Sequence, residues 1–384
     1  MLRRGRSPHW RSLAARENHA GVDLVFGGAF VSALLYWRPP REDQQMTIKI
    51  GINGFGRMGR LTMRAGFDDP ELQFVAINEP HAEAATMALL LEFDSVQGRW
   101  DRSCAATEDR LTVGECELAY TMHASPDQIP WRELGVDLVL ECSGRYRTVE
   151  LVEPHFQQGA SRVLVSAPVK GGAPNVVVGV NDGTVDFAAE RVVSAASCTT
   201  NCLAPVVRVL HDHIGIERGL VTTIHNPTNT QQVIDGANSD PRRARASQMN
   251  LIPTSTNSAS AVTLIVPELA GKLDSVAVRA PVMNASITDC VFQVARDTTV
   301  EEVNAILRGA SEKGPLVDIL GYEERPLVSS DFARDPRSSI IDALSTRVTD
   351  RRLVKVLAWY DNEWGYANRM VALARRMAAG IAAR

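Results

Sequence analysis

The chain has 384 residues, which is long enough for two domains that each bury a core of their own. Hydrophobic residues make up 45% of it and charged residues 22%, the composition of an ordinary soluble globular protein. The net charge of −4 gives no global electrostatic reason to expect nucleic acid or an anionic membrane as a partner. The six cysteines form neither a CxxC pair nor a Cys/His metal spacing, so we expect no metal site and a reducing, cytoplasmic environment.

The first 45 residues differ in pattern from the rest of the chain. Clustered arginines precede an apolar run from Leu24 to Trp37, which is shorter than the roughly 20 residues that a membrane-spanning helix needs. No small-residue cleavage site typical of a signal peptide follows this run. We therefore expect residues 1–45 to be a disordered or non-native extension, with Met46 as the natural start and no insertion into a membrane.

From residue 47 onward, predicted strands and helices alternate. A strand at 47–52 leads into a GxGxxG motif made by Gly54, Gly56 and Gly59. A helical pattern and a second strand at 72–78 follow, and Glu79 stands at the end of that strand, 20 residues after the last glycine. Such glycines let the backbone approach a pyrophosphate at a helix N-terminus, and the acid binds a ribose diol. The combination indicates a dinucleotide site rather than an ordinary turn.

Two further predicted strands, at 136–141 and 162–165, end in small polar residues. Ser143 and Gly144 follow the first of these strands, and Ser166 follows the second. Ligands of parallel sheets bind beyond the carboxyl ends of the strands, which makes these residues candidate cofactor neighbours. Ordinary turn chemistry explains them equally well.

A cysteine stands where the next predicted strand, at 191–195, turns into a helix. Leucines and valines from 203 to 210 recur at helical spacing after Ser197, Cys198 and Thr199, so either Ser197 or Thr199 suits the N-cap position. A thiol at a helix N-terminus is favoured as thiolate, and the free N–H groups there stabilise a developing oxyanion. The sequence therefore predicts Cys198 as a nucleophile rather than a buried core residue.

The second half of the chain supplies a histidine and two notable arginines. His225 ends a predicted strand at 219–225 and fits a thiol–imidazole pair with the cysteine. Arg243 lies in a basic turn, which is either solvated or a clamp for a phosphate. Arg279 stands in an apolar predicted strand at 276–282, where arginine needs an anionic partner. The chain ends with a strand at 353–360 and an amphipathic helix from about Ala367, which we expect to pack on the sheet.

Three motifs together resemble the family of phosphorylating glyceraldehyde-3-phosphate dehydrogenases. They are Asn-Gly-Phe-Gly-Arg-Met-Gly-Arg at 53–60, Ser-Cys-Thr-Thr-Asn-Cys at 197–202, and Trp-Tyr-Asp-Asn-Glu-Trp-Gly-Tyr at 359–366. The resemblance covers the chain from Met46 to the C-terminus. It implies a doubly wound α/β Rossmann domain at 46–197, completed by a C-terminal helix at 362–384. It also implies an α+β catalytic domain with a mixed or antiparallel sheet at 198–361.

The same resemblance implies roles for individual residues. Cys198 corresponds to the nucleophile and His225 to its base. The implied substrate contacts are Ser197, Thr199, Thr228, Arg243, Thr256 and Arg279. The implied cofactor contacts are Arg57, Met58, Glu79, Ser166, Asn362 and Tyr366, which join Gly54, Gly56, Gly59, Ser143 and Gly144 from the pattern itself.

The activity that follows is oxidation of glyceraldehyde 3-phosphate through a cysteine thioester, which phosphate cleaves to 1,3-bisphosphoglycerate while hydride passes to NAD. The resemblance also implies a homotetramer, in which a loop at about 227–250 lines a subunit interface and approaches a neighbour's cofactor. Two readings stay open: an erythrose-4-phosphate dehydrogenase, and a cofactor-binding protein without turnover. An intact set of Cys198, His225, Thr228 and Arg279 argues against the latter.

Several positions depart from the usual pattern of the family. Glu79 replaces the usual aspartate, and Gly236-Ala237 stands where NAD-specific members carry Leu-Pro, so we expect NAD while the sequence leaves room for NADP. Asn257 replaces a glycine in the acceptor loop, and its amide suits an oxyanion. These departures resemble the branch associated with arsenic resistance. That branch implies arsenate as acceptor, 1-arseno-3-phosphoglycerate as product and an export permease as functional partner.

Overall fold

Two β-sheets organise residues 47–382, the part of the chain that this computed structural model describes. The prediction for residues 1–45 lies outside the described residues. Within residues 47–382, none of the helices combines the length and the apolar character that crossing a bilayer requires. The helices are α1 (Arg57–Gly66), α2 (Ala84–Glu92), α3 (Val149–Gln157), α4 (Cys198–Ile214), α5 (Ser258–Thr263), α6 (Val300–Glu312) and α7 (Trp364–Ala382).

The first sheet has eight strands in the order β3-β4-β5-β2-β1-β6-β7-β8. Its strands are β1 (Ile48–Asn53), β2 (Leu72–Asn78), β3 (Cys104–Ala106), β4 (Arg110–Val113), β5 (Cys116–Thr121), β6 (Leu138–Glu141), β7 (Arg162–Val165) and β8 (Val192–Ser194). The run from β5 to β8 is parallel, and β3 and β4 add an antiparallel edge. Every residue of β6 and β7 is buried, as expected for parallel strands covered on both faces. The sheet confirms the predicted doubly wound α/β fold.

The last helix returns to this first sheet. Helix α7 packs against α1, and it begins at Trp364 rather than near Ala367 as the sequence predicted. The earlier start has a local cause, because the carboxylate of Asp361 accepts hydrogen bonds from the backbone N–H groups of Glu363 and Trp364 at 2.9 and 2.8 Å. An aspartate in this position satisfies N–H groups that the first turn of a helix leaves free.

The second sheet has seven strands in the order β10-β11-β9-β12-β15-β14-β13. Its strands are β9 (Ile216–His225), β10 (Ile252–Thr254), β11 (Leu273–Arg279), β12 (Ser286–Val294), β13 (Leu320–Glu323), β14 (Ser339–Thr349) and β15 (Leu353–Tyr360). Most pairs are antiparallel, whereas β9 pairs with β11 and β13 with β14 in parallel, which confirms the expected mixed sheet.

Helix α4 lies against this second sheet. Its apolar stripe of Leu203, Val206, Val207 and Leu210 is buried, as the helical spacing predicted. Strand β11 ends at Arg279 instead of residue 282, because Pro281 has no N–H to continue the ladder. The arginine therefore lies at the end of its strand, directly opposite His225 in the register of β9 and β11.

Candidate active site

The turn before α4 places Cys198 at the first position of the helix. Ser197 is the N-cap, and its Oγ accepts a hydrogen bond from the Thr200 N–H at 3.1 Å. Of the two cap candidates, Ser197 is therefore the correct one. The preceding Ala196 has a φ of 54°, a left-handed conformation that costs a residue with a Cβ about 1–2 kcal/mol. The Tyr366 hydroxyl donates to the Ala196 carbonyl at 3.0 Å, so the terminal helix α7 holds this strained turn.

His225 faces the cysteine from the end of β9. Its Nε2 lies 3.8 Å from the Cys198 Sγ, and its Nδ1 lies 2.8 Å from the Asn226 carbonyl. Because a carbonyl only accepts, Nδ1 carries the proton and Nε2 keeps a lone pair directed at the thiol. The imidazole meets the Tyr360 ring edge to face, with centroids 6.0 Å apart. The structure thus forms the thiol–imidazole pair that the sequence predicted.

Electrostatics make this a neutral pair. Burial raises the pKa of the Cys198 thiol, and the Thr199 hydrogen bond and the positive charge of Arg279 oppose that rise only in part. Burial also lowers the pKa of His225 to about 3, and Arg279 adds to that shift. The helix N-terminus alone favoured a thiolate, but removal from water outweighs it. The unprotonated imidazole is therefore available as a base for the thiol proton at neutral pH.

Two arginines bring positive charge to this pair. Arg279 donates from Nη1 to the Asn226 carbonyl at 3.2 Å, and its Nε is buried without a hydrogen-bond partner. Within residues 47–382, Arg279 forms no ion pair with a carboxylate, and burial lowers the pKa of its guanidinium, to which the nearby charge of Arg243 adds. Arg243 donates to the Thr254 hydroxyl at 2.8 Å and lies 3.4 Å from Asp240. Arg279, as a half-buried guanidinium without a carboxylate partner, is typical of an anion site.

The remaining candidate substrate residues make local hydrogen bonds. The Thr228 hydroxyl lies 3.0 Å from that of Thr230, and the Thr256 hydroxyl lies 3.2 Å from that of Ser258. Asn257 is exposed at the N-cap of α5, and its side chain makes no capping hydrogen bond. Thr199 reaches the Tyr360 hydroxyl at 3.0 Å.

The GxGxxG turn fits a dinucleotide. Gly54 has a φ of 89°, and a Cβ there would lie 2.5 Å from the backbone of Ser143. A Cβ on Gly59 would lie 2.4 Å from the Gly54 carbonyl, whereas one on Gly56 would meet nothing within 4 Å. The first and third glycines thus permit close packing, and the second leaves open space at the uncapped N-terminus of α1. Open space beside free N–H groups suits a pyrophosphate.

A pocket lies beside this turn, at the carboxyl ends of β1, β2 and β6. Of the predicted cofactor residues, Gly54, Gly56, Glu79 and Ser143 line it. The Glu79 carboxylate accepts the N–H groups of Phe55 at 2.8 Å and His81 at 3.1 Å. The sequence did not predict several other residues of the lining, which are Asn53, Asn78, His81, His123, Cys142, Arg145 and Tyr146. For Asn53 and Asn78, their position at the end of a strand was a signal that could have indicated them.

Other predicted cofactor residues lie outside the lining of this pocket. The Arg57 side chain forms ion pairs with Asp94 and Glu363. Met58 packs against the core, and Gly144 has a φ of 70° in the loop after β6. The Ser166 N–H donates to the Glu141 carbonyl at 2.9 Å, and Asn362 accepts from the Ser286 hydroxyl at 3.0 Å.

A buried carboxylate supports the pocket from behind. Glu141 accepts hydrogen bonds from Asn53 Nδ2 at 2.6 Å and from the Ser143 N–H at 2.8 Å. The His155 Nε2 lies 3.1 Å from it, and Trp131 donates to the other nitrogen of that ring at 2.9 Å. Because Trp131 only donates, His155 donates from Nε2 to Glu141. Two residues of the lining are therefore fixed by one fully bonded carboxylate.

Tyr366 joins the two halves of the site. Burial raises the pKa of its phenol, and the nearby thiols of Cys198 and Cys142 add to that rise. Cys142 lines the dinucleotide pocket, so the pocket and the cysteine–histidine pair both lie close to this one side chain. A parallel sheet with a glycine turn, next to a thiol–imidazole pair on a mixed sheet, is typical of a dinucleotide-dependent dehydrogenase.

Comparison with known proteins narrows this class. The family model described as the NAD binding domain of glyceraldehyde 3-phosphate dehydrogenase matches residues 48–149, and the model of the C-terminal domain matches residues 197–362. Glyceraldehyde-3-phosphate dehydrogenase 3 of Nostoc sp. is 57% identical over 336 residues, 88% of this chain and 100% of the relative. The enzyme of Pseudomonas aeruginosa is 50% identical over 87% of this chain and 99% of the relative. That of Geobacillus stearothermophilus is 46% identical over the same shares.

The chain belongs to the glyceraldehyde-3-phosphate dehydrogenase family, as the sequence motifs predicted. Its dinucleotide cofactor is NAD, because the matched N-terminal model is an NAD-binding domain.

Proposed function

We propose that this chain oxidises glyceraldehyde 3-phosphate to 1,3-bisphosphoglycerate, with NAD as hydride acceptor and Cys198 as nucleophile. One observation supports the substrate in particular. Arg279, a half-buried cation without a carboxylate partner in the described part of the chain, lies opposite His225 in register and close to the nucleophile. An aldehyde that carries a phosphate meets both requirements of such a site, a thiol for its carbon and a guanidinium for its anion.

The chemistry follows from the geometry of the pair. Cys198 Sγ attacks the aldehyde carbon as the thiol proton passes to the free Nε2 of His225, and the imidazolium then gives this proton to the former carbonyl oxygen, which completes the hemithioacetal and leaves His225 neutral. His225 then removes the hydroxyl proton of the hemithioacetal as hydride leaves its carbon. NAD supplies the hydride acceptor. The resulting thioester on Cys198 is cleaved by inorganic phosphate, which forms the acyl phosphate and restores the thiol.

Two anion positions serve this sequence of steps. Thr228 and Arg279 hold the phosphate of the substrate, and Arg243 with Ser197 and Thr256 receives the attacking phosphate. The 2.8 Å hydrogen bond from Arg243 to Thr254 fixes its guanidinium near the loop that carries Thr256. Two separate anions next to one thiol distinguish phosphorolysis from hydrolysis, in which the acceptor is water.

The test measures NAD reduction with glyceraldehyde 3-phosphate or erythrose 4-phosphate, and traps the acyl phosphate with hydroxylamine. We expect phosphate-dependent turnover and an acyl phosphate product with the former. Arg279→Gln should raise the KM for the aldehyde about 10- to 100-fold, because a hydrogen bond to a charged group contributes about 1.5–3 kcal/mol. Arg242→Gln, in the exposed turn beside Arg243, is the matched control. Faster turnover of erythrose 4-phosphate, with acid as product, would assign the rival dehydrogenase activity. If neither aldehyde supported NAD reduction, the result would favour a cofactor-binding protein without turnover.

We propose further that the acceptor position admits arsenate to form 1-arseno-3-phosphoglycerate, which an export permease then removes. Arsenate resembles phosphate in charge and geometry, so residues that hold one oxyanion hold the other. Asn257 supports this proposal because its amide is exposed and makes no capping bond, which leaves its N–H groups for an acceptor.

The measurement is the ratio of kcat/KM for arsenate over phosphate in wild type and Asn257→Gly. We expect the variant to lower the ratio about tenfold, the effect of one hydrogen bond to a charged group. A ratio equal in both proteins, with no arsenate resistance when exporter and enzyme are co-expressed, contradicts the proposal.

We also propose that the enzyme is a cytoplasmic homotetramer, with domains at 46–197 plus 362–384 and at 198–361. All six cysteines are free thiols, which fits a reducing compartment. The loop at 227–250 and the adjoining Leu251 expose four apolar side chains by 66–83%, namely Val233, Ile234, Met249 and Leu251, and association would cover this apolar surface. Ile234→Glu should therefore shift the sedimentation coefficient toward a smaller species. The matched control is Leu151→Glu on α3, an exposed leucine outside this segment, and equal sedimentation of both variants would contradict the interface.

A further inference from the structure

Asn226 directly follows the base at the end of β9 and is buried. Its backbone carbonyl accepts hydrogen bonds from two donors, the Nδ1 of His225 at 2.8 Å and the Nη1 of Arg279 at 3.2 Å. A carbonyl oxygen has two lone pairs and serves both donors. The direction of this one carbonyl therefore determines where the imidazole and the guanidinium point.

This carbonyl lies beyond the regular part of the sheet. Strand β9 ends at His225, and the peptide nitrogen after the carbonyl belongs to Pro227, which has no N–H to donate. The side chain supplies an anchor instead, because Nδ2 of Asn226 donates to the Met283 carbonyl at 3.2 Å. The backbone N–H of Asn226 donates to the Ser286 Oγ at 3.3 Å. Since Met283 lies in the connection from β11 to β12 and Ser286 begins β12, two bonds fix Asn226 against this connection.

The same connection reaches the cofactor side of the site. The Ser286 hydroxyl lies 3.0 Å from Oδ1 of Asn362 and 3.5 Å from Oδ1 of Asn226, so its one hydrogen goes to Asn362. The Asn284 Nδ2 donates at 2.6 Å to the carboxylate of Asp361, which also accepts N–H groups at the start of α7. Asn226 is thus attached to a connection that the start of α7 holds in place.

We propose that the side chain of Asn226 is a positioning element of the active site: by anchoring its own carbonyl, it orients His225 for the thiol proton and Arg279 for the substrate phosphate. This inference rests on the proposed function and adds a positioning residue to it. Without the anchor, the carbonyl is free to turn away from Nδ1. The imidazole then also carries its proton on Nε2, where it offers Cys198 no lone pair. The guanidinium of Arg279 loses an acceptor at the same time.

The test compares Asn226→Ala with wild type, because alanine removes the Nδ2 donor and keeps the carbonyl and the N–H. We expect the first turnover of NAD reduction, at saturating glyceraldehyde 3-phosphate, to slow about three- to tenfold, the effect of one neutral hydrogen bond. The KM for the aldehyde should rise by a similar factor. NAD affinity should stay near that of wild type, since the bond from Ser286 to Asn362 is untouched. The matched control is Asn304→Ala, whose Nδ2 donates to the Ala343 carbonyl at 3.1 Å between α6 and β14, and which should change neither constant.

A double variant with His225→Asn separates positioning from a general loss of structure. If Asn226 acts on the chemical step through the imidazole, Asn226→Ala should slow the first turnover much less in the His225→Asn background than in wild type. An equal fold-loss in both backgrounds, or wild-type rate and KM in Asn226→Ala, overturns the proposal. Asn226→Ser, whose hydroxyl is too short to reach Met283, replaces the alanine variant if that protein fails to bind NAD, and it should show the same losses.

Alkylation of Cys198 by iodoacetamide decides the question without the aldehyde. Loss of the oriented base should slow alkylation of Asn226→Ala at pH 7 about three- to tenfold. A merely loosened site would instead expose the half-buried thiol and speed its alkylation. Slower alkylation supports the positioning role, and equal or faster alkylation overturns it. Absence of aldehyde oxidation in wild type would refute the proposed function, and the alkylation comparison would still decide the role of Asn226.

Discussion

Replacing His225 with asparagine tests the proposed mechanism most directly. The substitution removes the Nε2 lone pair that lies 3.8 Å from the Cys198 Sγ, while an amide of similar polarity stays in the same place. Loss of a positioned general base typically slows a reaction about 10²–10⁴-fold. We expect a loss of this size in the first turnover of NAD reduction, measured by stopped flow, with little change in NAD affinity. Alkylation of the thiol by iodoacetamide should also shift to higher pH, because the thiol proton loses its acceptor.

The same substitution has a consequence for acid stability. The pKa of His225 falls from 6.5 to about 3 on folding, so between these values the unfolded chain binds a proton that the folded chain does not. The folded state therefore loses stability as the pH falls below 6.5, by about 1.4 kcal/mol per pH unit, or about 3 kcal/mol at pH 4.5. The asparagine in His225→Asn does not bind a proton in this pH range, in either the folded or the unfolded chain. Its free energy of unfolding, relative to wild type, should improve by about 3 kcal/mol between pH 7 and pH 4.5.

The matched control is His213→Asn, at the exposed end of α4, where the ring is hydrogen-bonded to the Val209 carbonyl of its own helix. This variant should keep the wild-type rate. Urea unfolding followed by circular dichroism, at fixed protein concentration, measures the stability of all three proteins at both pH values. A His225→Asn variant with wild-type first-turnover rate and an unshifted alkylation profile would refute the base assignment. If the free energy of unfolding changed equally in wild type and His225→Asn between the two pH values, the assignment of a buried neutral imidazole would be refuted.

Three further predictions concern the nucleophile, the pocket and the N-terminal segment. Cys198→Ser should abolish NAD reduction while NAD still binds, because a hydroxyl is a far weaker nucleophile than a thiolate; near wild-type turnover would contradict the assignment. Glu141→Gln should raise the KM for NAD about tenfold or more with a smaller effect on kcat, because its new NH₂ group faces donors from Asn53 and Ser143; equal effects on both constants would show a general structural role. A protein that starts at Met46 should be soluble and fully active as a tetramer, and insoluble or inactive protein would show that residues 1–45 are needed.

Local patterns in the sequence were sufficient for much of the fold. The strands at 72–78, 162–165 and 353–360 have the predicted bounds, because each is an apolar run that ends in polar residues or a turn. The Cys198 helix begins where its N-cap serine predicted. These features depend on neighbours in the chain, and a sequence displays its neighbours directly.

Contacts between distant residues were not predictable in the same way. Arg57 matched a cofactor motif, yet its guanidinium binds Glu363, which is 306 residues further along the chain. The left-handed Ala196 carries no glycine to mark it, and the hydroxyl that holds its carbonyl comes from Tyr366, 170 residues away. Only the fold brings such partners together, so no local pattern contains them.

The protonation state of the catalytic pair shows how one such contact reverses a local rule. A helix N-terminus favours a thiolate, which is why the sequence predicted a lowered pKa for Cys198. In the structure, burial raises the pKa of Cys198 by more than the helix end and Arg279 lower it, and burial lowers the pKa of His225, so the pair is neutral. Arg279 favours the thiolate and opposes the imidazolium at the same time. Because burial disfavours the charged form of both groups, we infer that the thiol proton is transferred as the aldehyde carbon is attacked. We expect a substrate phosphate that compensates the charge of Arg279 to remove its opposition to the imidazolium, so that His225 takes the thiol proton more readily during the attack.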